Sequence, residues 1–296
     1  MERIQTAIEK ARQARQQGTS VASERKTEPK AEAQAKLVRE PVATVVPKED
    51  DSTQDQLTRD QLWKAIPTFQ PKPAKLIHNR ILAFRSCPEA APYDMMRTKL
   101  MQQLRKRDWR RVAITSAGAA SGKTMTCLNL AFSLARQNDL RVMVVELDMR
   151  RPSITKVLGL REHVQFSEAL AGKDRPETHM VRYGTNLIIA ANQSSTRNPA
   201  ELLQGNSASA VLDRIEAAYS PDVMLFDTAP LMVSDDTLAF LDQIDCALLV
   251  AEAERTRPAD VDKSEQELAA RTNVLGVVLN KCRYLDRGDS YSYYGY

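Results

Sequence analysis

The stretch VAITSAGAASGKT, residues 112–124, decides the fold of this chain. Its first part, residues 112–115, is apolar or β-branched and predicts a short buried strand. The small residues 116–122 predict a loop whose backbone N–H groups can approach phosphate oxygens. Lys123 and Thr124 then open an amphipathic segment that predicts a helix. The order of strand, small-residue loop and helix predicts a nucleotide site.

The loop departs from the pattern G-x-x-x-x-G-K-[S/T] at one position, where Ala117 stands in place of glycine. An alanine fits there if its φ is negative. The pattern predicts that the Lys123 ammonium lies against the β- and γ-phosphates and that the Thr124 hydroxyl ligates Mg²⁺. A glycine-rich turn with a chance lysine is the alternative for this segment alone.

The composition of the chain narrows the class of protein. Its 296 residues are 43% hydrophobic, which suffices for one or two globular domains. The cysteines are widely spaced and predict neither a disulfide framework nor a zinc site. No apolar run approaches the ~20 residues of a membrane-spanning helix, and the first residues are too charged for a signal peptide, so we expect a cytoplasmic protein. The net charge of +4 arises in the N-terminal arm, so we expect no nucleic-acid partner.

Composition also predicts four regions along the chain. Residues 1–18 have apolar side chains at helical spacing and predict a short amphipathic helix. Residues 19–76 are rich in polar residues and proline and predict a disordered linker with room for one short helix near residues 56–66. Residues 77–284 are predicted to form a globular domain around the phosphate loop, and residues 285–296 a tyrosine-rich tail.

Apolar strands such as VMVVEL and CALLVA predict a sheet that is covered on both faces. The predicted fold class is therefore α/β, with a mostly parallel sheet and helices on both faces. Beyond the first strand, we predict strands at residues 141–147, 186–191, 222–226, 245–251 and 273–279. Helices are predicted at residues 92–104, 123–136, 167–171, 200–203, 208–219, 236–241 and 258–271.

Acidic residues stand at the ends of two further predicted strands. Glu146 and Asp148 lie two positions apart after one strand, and Asp227 ends another. Ligands of doubly wound sheets collect at the carboxyl edge, where carboxylates can share Mg²⁺ and polarise an attacking hydroxyl. Asp227 is predicted to hold the metal directly or through water. Arg150 is predicted either to contact a phosphate or to pair with a nearby carboxylate.

The last residues, SYSYYGY at 290–296, hold half of the eight tyrosines: Tyr291, Tyr293, Tyr294 and Tyr296. Because this segment follows the last predicted strand, it does not fit a core role. A set of phosphate acceptors fits better than a sticky aromatic patch beside a kinase-like site. From Tyr284 to the end, the tail spans at most ~40 Å at ~3.3 Å per residue, which allows entry into a neighbouring subunit's site.

Together these motifs resemble the bacterial tyrosine autokinases known as BY-kinases, from about residue 81 to residue 296. The resemblance rests on ITSAGAASGKT as Walker A, VVELDMR as Walker A′, LFDTAP as Walker B, the NPAELL stretch at residues 198–203 and the tyrosine cluster. The chain is similar to the stand-alone form without a fused membrane domain, especially the exosortase-associated versions. The resemblance implies a P-loop NTPase of the Walker A/A′/B type.

The resemblance also implies an activity, partners and site residues. It implies an ATP- and Mg²⁺-dependent kinase that forms a homo-oligomer, phosphorylates its own tail in trans and regulates exopolysaccharide synthesis or export. A membrane polysaccharide co-polymerase, or chain-length determinant protein, would activate it at the inner face of the membrane. Asn280 would lie near the adenine, and the remaining nucleotide-binding residues would be Gly118, Ala119, Ala120, Ser121, Gly122, Lys123, Thr124 and Met125. The implied metal ligands are Thr124, Asp148 and Asp227, and the implied catalytic residues are Lys123, Glu146, Asp148, Arg150 and Asp227.

The sequence departs from the family pattern at two places. Glu146 stands where the family has aspartate, and a displacement of ~1 Å can cost a catalytic group ~100-fold in rate, which allows for weak kinase activity. The family's Glu-x-x-Arg-x-x-Arg assembly helix is present only as Ala91, Asp94 and Arg97. The ring-shaped oligomer of the family is therefore not predicted from this motif.

Two other functions stay open at this point. A ParA/MinD-like switch ATPase would need a second loop lysine, at the position of Gly118, and would have no use for a tyrosine tail. A nucleotide-gated scaffold of the export complex, with little kinase activity, is compatible with Glu146 and with the reduced assembly motif.

Overall fold

The computed structural model describes residues 51–160 and 163–283, with side chains described from residue 58 onward. The predicted N-terminal helix at residues 1–18 and the tail tyrosines Tyr291, Tyr293, Tyr294 and Tyr296 lie outside the described residues. Among the helices that are described, none has the length and apolar character needed to cross a bilayer.

A single sheet has its strands in the order β3-β4-β2-β5-β1-β6-β7. The strands are β1 (Arg111–Ser116), β2 (Val142–Glu146), β3 (Met180–Tyr183), β4 (Leu187–Ala190), β5 (Val223–Asp227), β6 (Cys246–Glu252) and β7 (Asn273–Asn280). Adjacent strands run parallel except β3 and β4, which are antiparallel at one edge. The carboxyl ends of β1, β2, β4, β5, β6 and β7 therefore meet at the same edge.

Helices cover both faces of this sheet. They are α1 (Asp51–Ala65), α2 (Pro73–His78), α3 (Ala91–Arg107), α4 (Lys123–Ala135), α5 (Ile154–Leu158), α6 (Phe166–Leu170), α7 (Pro199–Gln204), α8 (Asn206–Tyr219) and α9 (Pro258–Ala269). Helix α3 ends at Asp108, whose φ of +54° closes the last turn through a hydrogen bond from its backbone N–H to Leu104 O.

Alternate residues of the central strands divide the core into two layers. Val112 and Ile114 of β1 belong to the layer formed with α2, α3, α4 and α5. Ala113 belongs to the opposite layer, formed with α1, α6, α7, α8 and α9. Side chains of a strand alternate between its faces, so a strand that is apolar throughout must be covered on both. The predicted α/β architecture is confirmed.

The predicted strands are all present, each within one residue of its predicted ends, whereas β3 was not predicted. The helix predicted at residues 236–241 is wrong, because turns precede a short 3₁₀ segment at Leu241–Gln243. Side chains in this segment bond elsewhere: Thr237 Oγ1 donates to Ala229 O at 2.6 Å, and Asp236 accepts from Arg150. Such bonds compete with a helical backbone.

The predicted linker boundary at residue 76 is also wrong, because the chain is already folded well before it. Trp63, Ile66, Phe69 and Leu76 are buried in the two core layers. Trp63 Nε1 donates to Tyr219 O at 2.8 Å, and Phe69 N donates to Arg182 O at 3.0 Å beside β3. This segment contains few apolar residues, but each of them is buried against residues that are distant in the sequence. These contacts order the segment although its composition is largely polar.

Candidate active site

The phosphate loop, residues 117–122, joins β1 to α4 in a conformation that small residues permit. Ala120 and Gly122 have φ values of +65° and +90°. The φ of Gly122 is one that side chains rarely adopt, and a Cβ there would also displace the Asn280 side chain, so glycine is strongly favoured. Ala117 is not among the described residues with positive φ, which is the condition for an alanine at the first position of the pattern. Ser121 Oγ donates to Gly118 O at 3.0 Å and closes the loop.

Other predicted nucleotide-binding residues lie along this loop or at the start of α4. Ala119 and Ala120 are exposed at its rim, whereas Met125 is half-buried in the first turn of α4 and packs against the core. Of this segment, Lys123 and Thr124 are therefore the residues whose side chains lie near the acidic residues of neighbouring strand ends.

Lys123 contacts the carboxylates of two other strand ends. Its Nζ donates to Asp148 Oδ2 at 2.6 Å and lies 3.9 Å from Asp227 Oδ1. Burial lowers the pKa of Lys123, but the carboxylates of Asp227 and Asp148 raise it, and the net shift is upward. The structure thus brings these three residues together and keeps the lysine charged.

Asp227 is a fully buried carboxylate with unused bonding capacity. Neither of its side-chain oxygens has a hydrogen-bond partner among the described residues. Burial raises the pKa of Asp227, while the Lys123 ammonium and the nearby Thr124 hydroxyl lower it, with a net upward shift. A hard cation prefers such oxygen ligands, so Asp227 and Thr124 fit the predicted Mg²⁺ position.

Glu146 is placed differently from the prediction that it shares a metal and activates a hydroxyl. Its Oε1 accepts backbone N–H bonds from Ser153 at 2.6 Å and Ile154 at 2.8 Å, and its Oε2 accepts one from Asn192 at 2.8 Å. Both oxygens therefore hold the backbone, and neither has Lys123 as a hydrogen-bond partner. Burial raises the pKa of Glu146 to about 7, although the three backbone donors lower it.

Arg150 follows one of its two predicted alternatives. Its Nε donates to Asp236 Oδ2 at 2.6 Å and its Nη2 to Asp236 Oδ1 at 2.9 Å. Asp236 is fully buried and also accepts from Ser234 Oγ at 2.9 Å. Arg150 therefore pairs with a carboxylate and joins the β2 and β5 loops, as in the carboxylate-pairing alternative.

The end of β7 forms the opposite wall of the site. Asn280 Nδ2 donates to Ser121 O at 2.9 Å, and Lys281 Nζ donates to Ala120 O at 2.7 Å and lies 3.1 Å from Glu252 Oε1. A cavity of about 710 Å³ adjoins this wall and is lined in part by Glu252 and Lys281. Asn280 thus braces the phosphate loop, and its place near the adenine stays a prediction, because neither Asn280 nor a residue of the phosphate loop is among the residues that line this cavity. Sequence reasoning missed Lys281, although its place directly after a strand end could have pointed to it.

The chain is similar to a known protein family and to bacterial tyrosine-protein kinases. The family model described as ParA, a NUBPL iron-transfer P-loop NTPase, matches residues 109–293, more than half of the chain. The chain is 28% identical over 205 residues to the tyrosine-protein kinase YwqD of Bacillus subtilis, covering 69% of this chain and 85% of that relative. It is 26% identical over 201 residues to the putative tyrosine-protein kinase CapB of Staphylococcus aureus, covering 67% and 86%.

A solved structure is also similar to this chain. The kinase domain of the Escherichia coli tyrosine kinase ETK has a TM-score of 0.61 and 26% identity, covering 70% of this chain and 80% of that domain. The similarity thus extends over more than two thirds of this chain.

Proposed function

We propose, from the premise that this chain belongs to the ParA family of P-loop NTPases and within it to the bacterial tyrosine autokinases, that it transfers the γ-phosphoryl group of ATP to its own tail tyrosines. The observation that carries this proposal is the contact of Lys123 with Asp148 at 2.6 Å and with Asp227 at 3.9 Å beside the phosphate loop. In phosphoryl transfer the protein acts mainly by positioning the reactants and by stabilising charge, and correctly placed cations and carboxylates do both.

Each residue of the site has a separate role in this reaction. The charged Lys123 binds phosphate oxygens, and the backbone N–H groups of residues 117–122 orient them. Once a phosphate competes for the Lys123 ammonium, Asp148 Oδ2 loses that hydrogen bond and accepts the proton of the tyrosine hydroxyl. The tyrosine oxygen then bonds to the γ-phosphorus as the bond from that phosphorus to ADP breaks, and ADP leaves. Glu146 is unavailable for that role because its oxygens hold backbone amides. Mg²⁺, held by Thr124, Asp148 and Asp227, would neutralise charge on the phosphates.

The acceptors in this proposal are Tyr291, Tyr293, Tyr294 and Tyr296 of a second copy in a homo-oligomer. We expect the copies to meet through an interface other than the assembly helix that carries Asp94 and Arg97, because both side chains are engaged within their own subunit. Arg97 Nη1 donates to Ser133 O at 3.0 Å, and Asp94 Oδ1 accepts from Ser133 Oγ at 2.5 Å and from Arg136. These contacts join α3 to α4.

The cellular setting completes the proposal. We infer that a membrane polysaccharide co-polymerase recruits the protein from the cytoplasm to the inner face of the membrane and activates it. Its autophosphorylation would then regulate exopolysaccharide synthesis or export. The resemblance of the tyrosine-rich tail and the Walker motifs to those of the autokinases supports this part of the proposal.

Phosphate mapping tests the reaction directly. Purified protein is incubated with Mg·ATP, and mass spectrometry locates the phosphorylated residues. Two variants are measured in parallel: Lys123→Ala, and a variant with the four tail tyrosines changed to Phe. We expect tail phosphotyrosine that is lost in both variants. Steady ADP release without phosphotyrosine would instead identify a switch ATPase.

A nucleotide-gated scaffold is the second candidate, and the engagement of Glu146 favours it. A protein that binds ATP but yields neither phosphotyrosine nor ADP in the same experiment would be such a scaffold.

A further inference from the structure

The two side edges of the sheet differ in how they are protected. At one edge, the segment between α1 and α2 covers β3: Phe69 N donates to Arg182 O at 3.0 Å, and Arg182 N donates to Pro67 O at 2.7 Å. At the other edge, β7 pairs with β6 on its inner side, and within residues 51–160 and 163–283 no strand pairs with its outer side. A bare edge is a template for another strand, so natural proteins usually cover it or charge it.

The backbone of β7 presents bonding groups to this outer side. Ala253 N donates to Asn280 O at 2.9 Å, so the backbone groups of Asn280 face β6. The pairing of β6 with β7 is regular from Gly276 to Asn280. Because backbone groups alternate in direction along a strand, the N–H and C=O groups of Val277 and Leu279 face away from β6. The Cys282 thiol donates to Leu279 O at 3.6 Å, a weak bond that a strand N–H can replace.

The side chains on this edge are apolar and exposed. Val277 is 48% exposed and Leu279 is 62% exposed, and their spacing of two residues places both on the same face of the sheet. Strand β7, NVLGVVLN, contains no charged residue and no proline, which are the usual protections of an edge strand. An apolar edge with available backbone groups is the kind of surface that binds an added strand.

We propose that the tail of the same chain, residues 290–296, adds to the outer side of β7 as an antiparallel strand. The tail follows β7 directly, through residues 281–289. Asp286, Gly288 and Asp289 in this connection are residue types that favour turns. The connection spans up to ~30 Å, far more than the ~4.8 Å between neighbouring strands. It also holds the tail at a local concentration of roughly millimolar, which favours the chain's own tail over a second copy.

The pattern of the tail matches the surface that β7 offers. In SYSYYGY, Tyr291 and Tyr293 are two positions apart, so their side chains share one face of an extended strand. An antiparallel register that pairs Tyr291 with Leu279 and Tyr293 with Val277 uses both outward N–H groups and both outward C=O groups. The two tyrosine rings then cover the two exposed apolar side chains, a favourable kind of cross-strand contact.

This docking regulates access to the acceptor tyrosines, and that part of the inference rests on the proposed function. While the tail is docked, Tyr291 and Tyr293 lie against β7 and are withheld from a second copy. A phosphate on either tyrosine adds a charge of about −1.5 to −2 to an apolar contact and opposes docking. Phosphorylation therefore releases the tail and leaves the β7 edge bare.

Hydrogen exchange of the two outward-facing amides of β7, followed by NMR on the full-length protein without nucleotide, tests the docking. Tyr291→Asp with Tyr293→Asp places two charges on the docked face of the tail. Ser290→Asp with Ser292→Asp, the matched control, places the same charges on its opposite face. We expect the tyrosine variant to speed the exchange of both amides by about 10-fold or more, and the serine variant by less than about 2-fold. Equal exchange rates in all three proteins would overturn the docking.

A cysteine pair separates docking within one chain from docking between two copies. In a Cys282→Ser background, Val278→Cys with Ser292→Cys places the two substituted positions opposite each other in the proposed register. Val278→Cys with Tyr294→Cys, two residues out of register, is the control. We expect mild oxidation to link the first pair within one chain and to leave the control pair unlinked. A link between two chains, or equal linking in both variants, contradicts the inference.

The result for docking is independent of the result for the kinase reaction. Docking that is supported by exchange and by the cysteine pair stands even if phosphate mapping finds no phosphotyrosine. In that case the proposed function and the regulation by phosphorylation fail. If the tail is phosphorylated but exchange is equal in all variants, the docking fails and the proposed function stands.

Discussion

Glu146 and Asp227 are both fully buried carboxylates at the ends of adjacent strands, yet their surroundings differ completely. The two residues are paired in register across β2 and β5. Glu146 accepts three backbone N–H bonds, whereas the side chain of Asp227 has no hydrogen-bond partner among the described residues. A satisfied buried carboxylate stabilises structure, and an unsatisfied one is retained at a cost that ligand binding can offset. The comparison separates a structural acid from a functional one.

Asp227→Asn should give the largest effect, because it removes the functional charge at nearly constant shape. We expect the rate of phosphoryl transfer to fall about 100- to 1,000-fold, the range for losing a preorganised charged group. Chemical denaturation should show a free energy of unfolding within about 1 kcal/mol of that of the unmodified protein, because the cost of burying the Asp227 charge is relieved while Lys123 keeps its closer partner Asp148. A clear loss of stability would mean that Asp227 is a structural acid like Glu146.

Glu146→Ala should have a large effect on stability and a small effect on the transfer rate, the reverse of Asp227→Asn. It leaves the N–H groups of Ser153, Ile154 and Asn192 without their acceptor, so we expect the free energy of unfolding to fall by about 3–5 kcal/mol. The loss of transfer rate should be far smaller than for Asp227→Asn wherever the protein remains folded. Denaturant titration checks the first expectation, and rates measured at low temperature check the second. Comparable rate losses in the two variants would remove the distinction.

The pH dependence of stability sharpens the same comparison. The folded-state pKa of Glu146 is raised from 4.5 to about 7, so the folded protein holds a proton that the unfolded chain releases. The stability contribution of this protonation is complete below pH ~4.5 and is lost as the pH rises through ~7. We expect Glu146→Gln to reduce the fall in stability between pH 5 and pH 8 by at most about 3 kcal/mol. Parallel curves for the two proteins would contradict this.

Lys281→Ala should have the smallest effect, because this residue acts on the phosphate loop from outside. Its half-exposed ammonium braces Ala120 O, and we expect the Kd for a fluorescent ATP analogue to rise about 3- to 5-fold, as for loss of one hydrogen bond. Cys282→Ala, at the exposed neighbouring position, is the control. A loss as large as that of Asp227→Asn would mean that Lys281 contacts the nucleotide itself.

The strands and the phosphate loop could be predicted because their signals are local. Residues 112–124 contain the apolar run, the small residues and the lysine that define strand, loop and helix. Asp148 and Asp227 were predicted to meet Lys123 because parallel strands end at one edge. The four-residue strand β3 was missed, since MVRY is too short for a clear alternating pattern. The helix at residues 236–241 was wrongly predicted because its side chains bond to distant groups.

The sequence by itself determined the fold class and the identity of the residues at the carboxyl edge, because apolar periodicity and turn chemistry act over a few neighbouring residues. Only the tertiary structure decided which carboxylate is satisfied. The donors to Glu146 include Asn192, 46 positions away, and the partner of Arg150 is Asp236, 86 positions away. Hydrogen bonds depend on distances of about 3 Å between atoms. Chain neighbours do not reveal such distances until the sheet has brought the strand ends together.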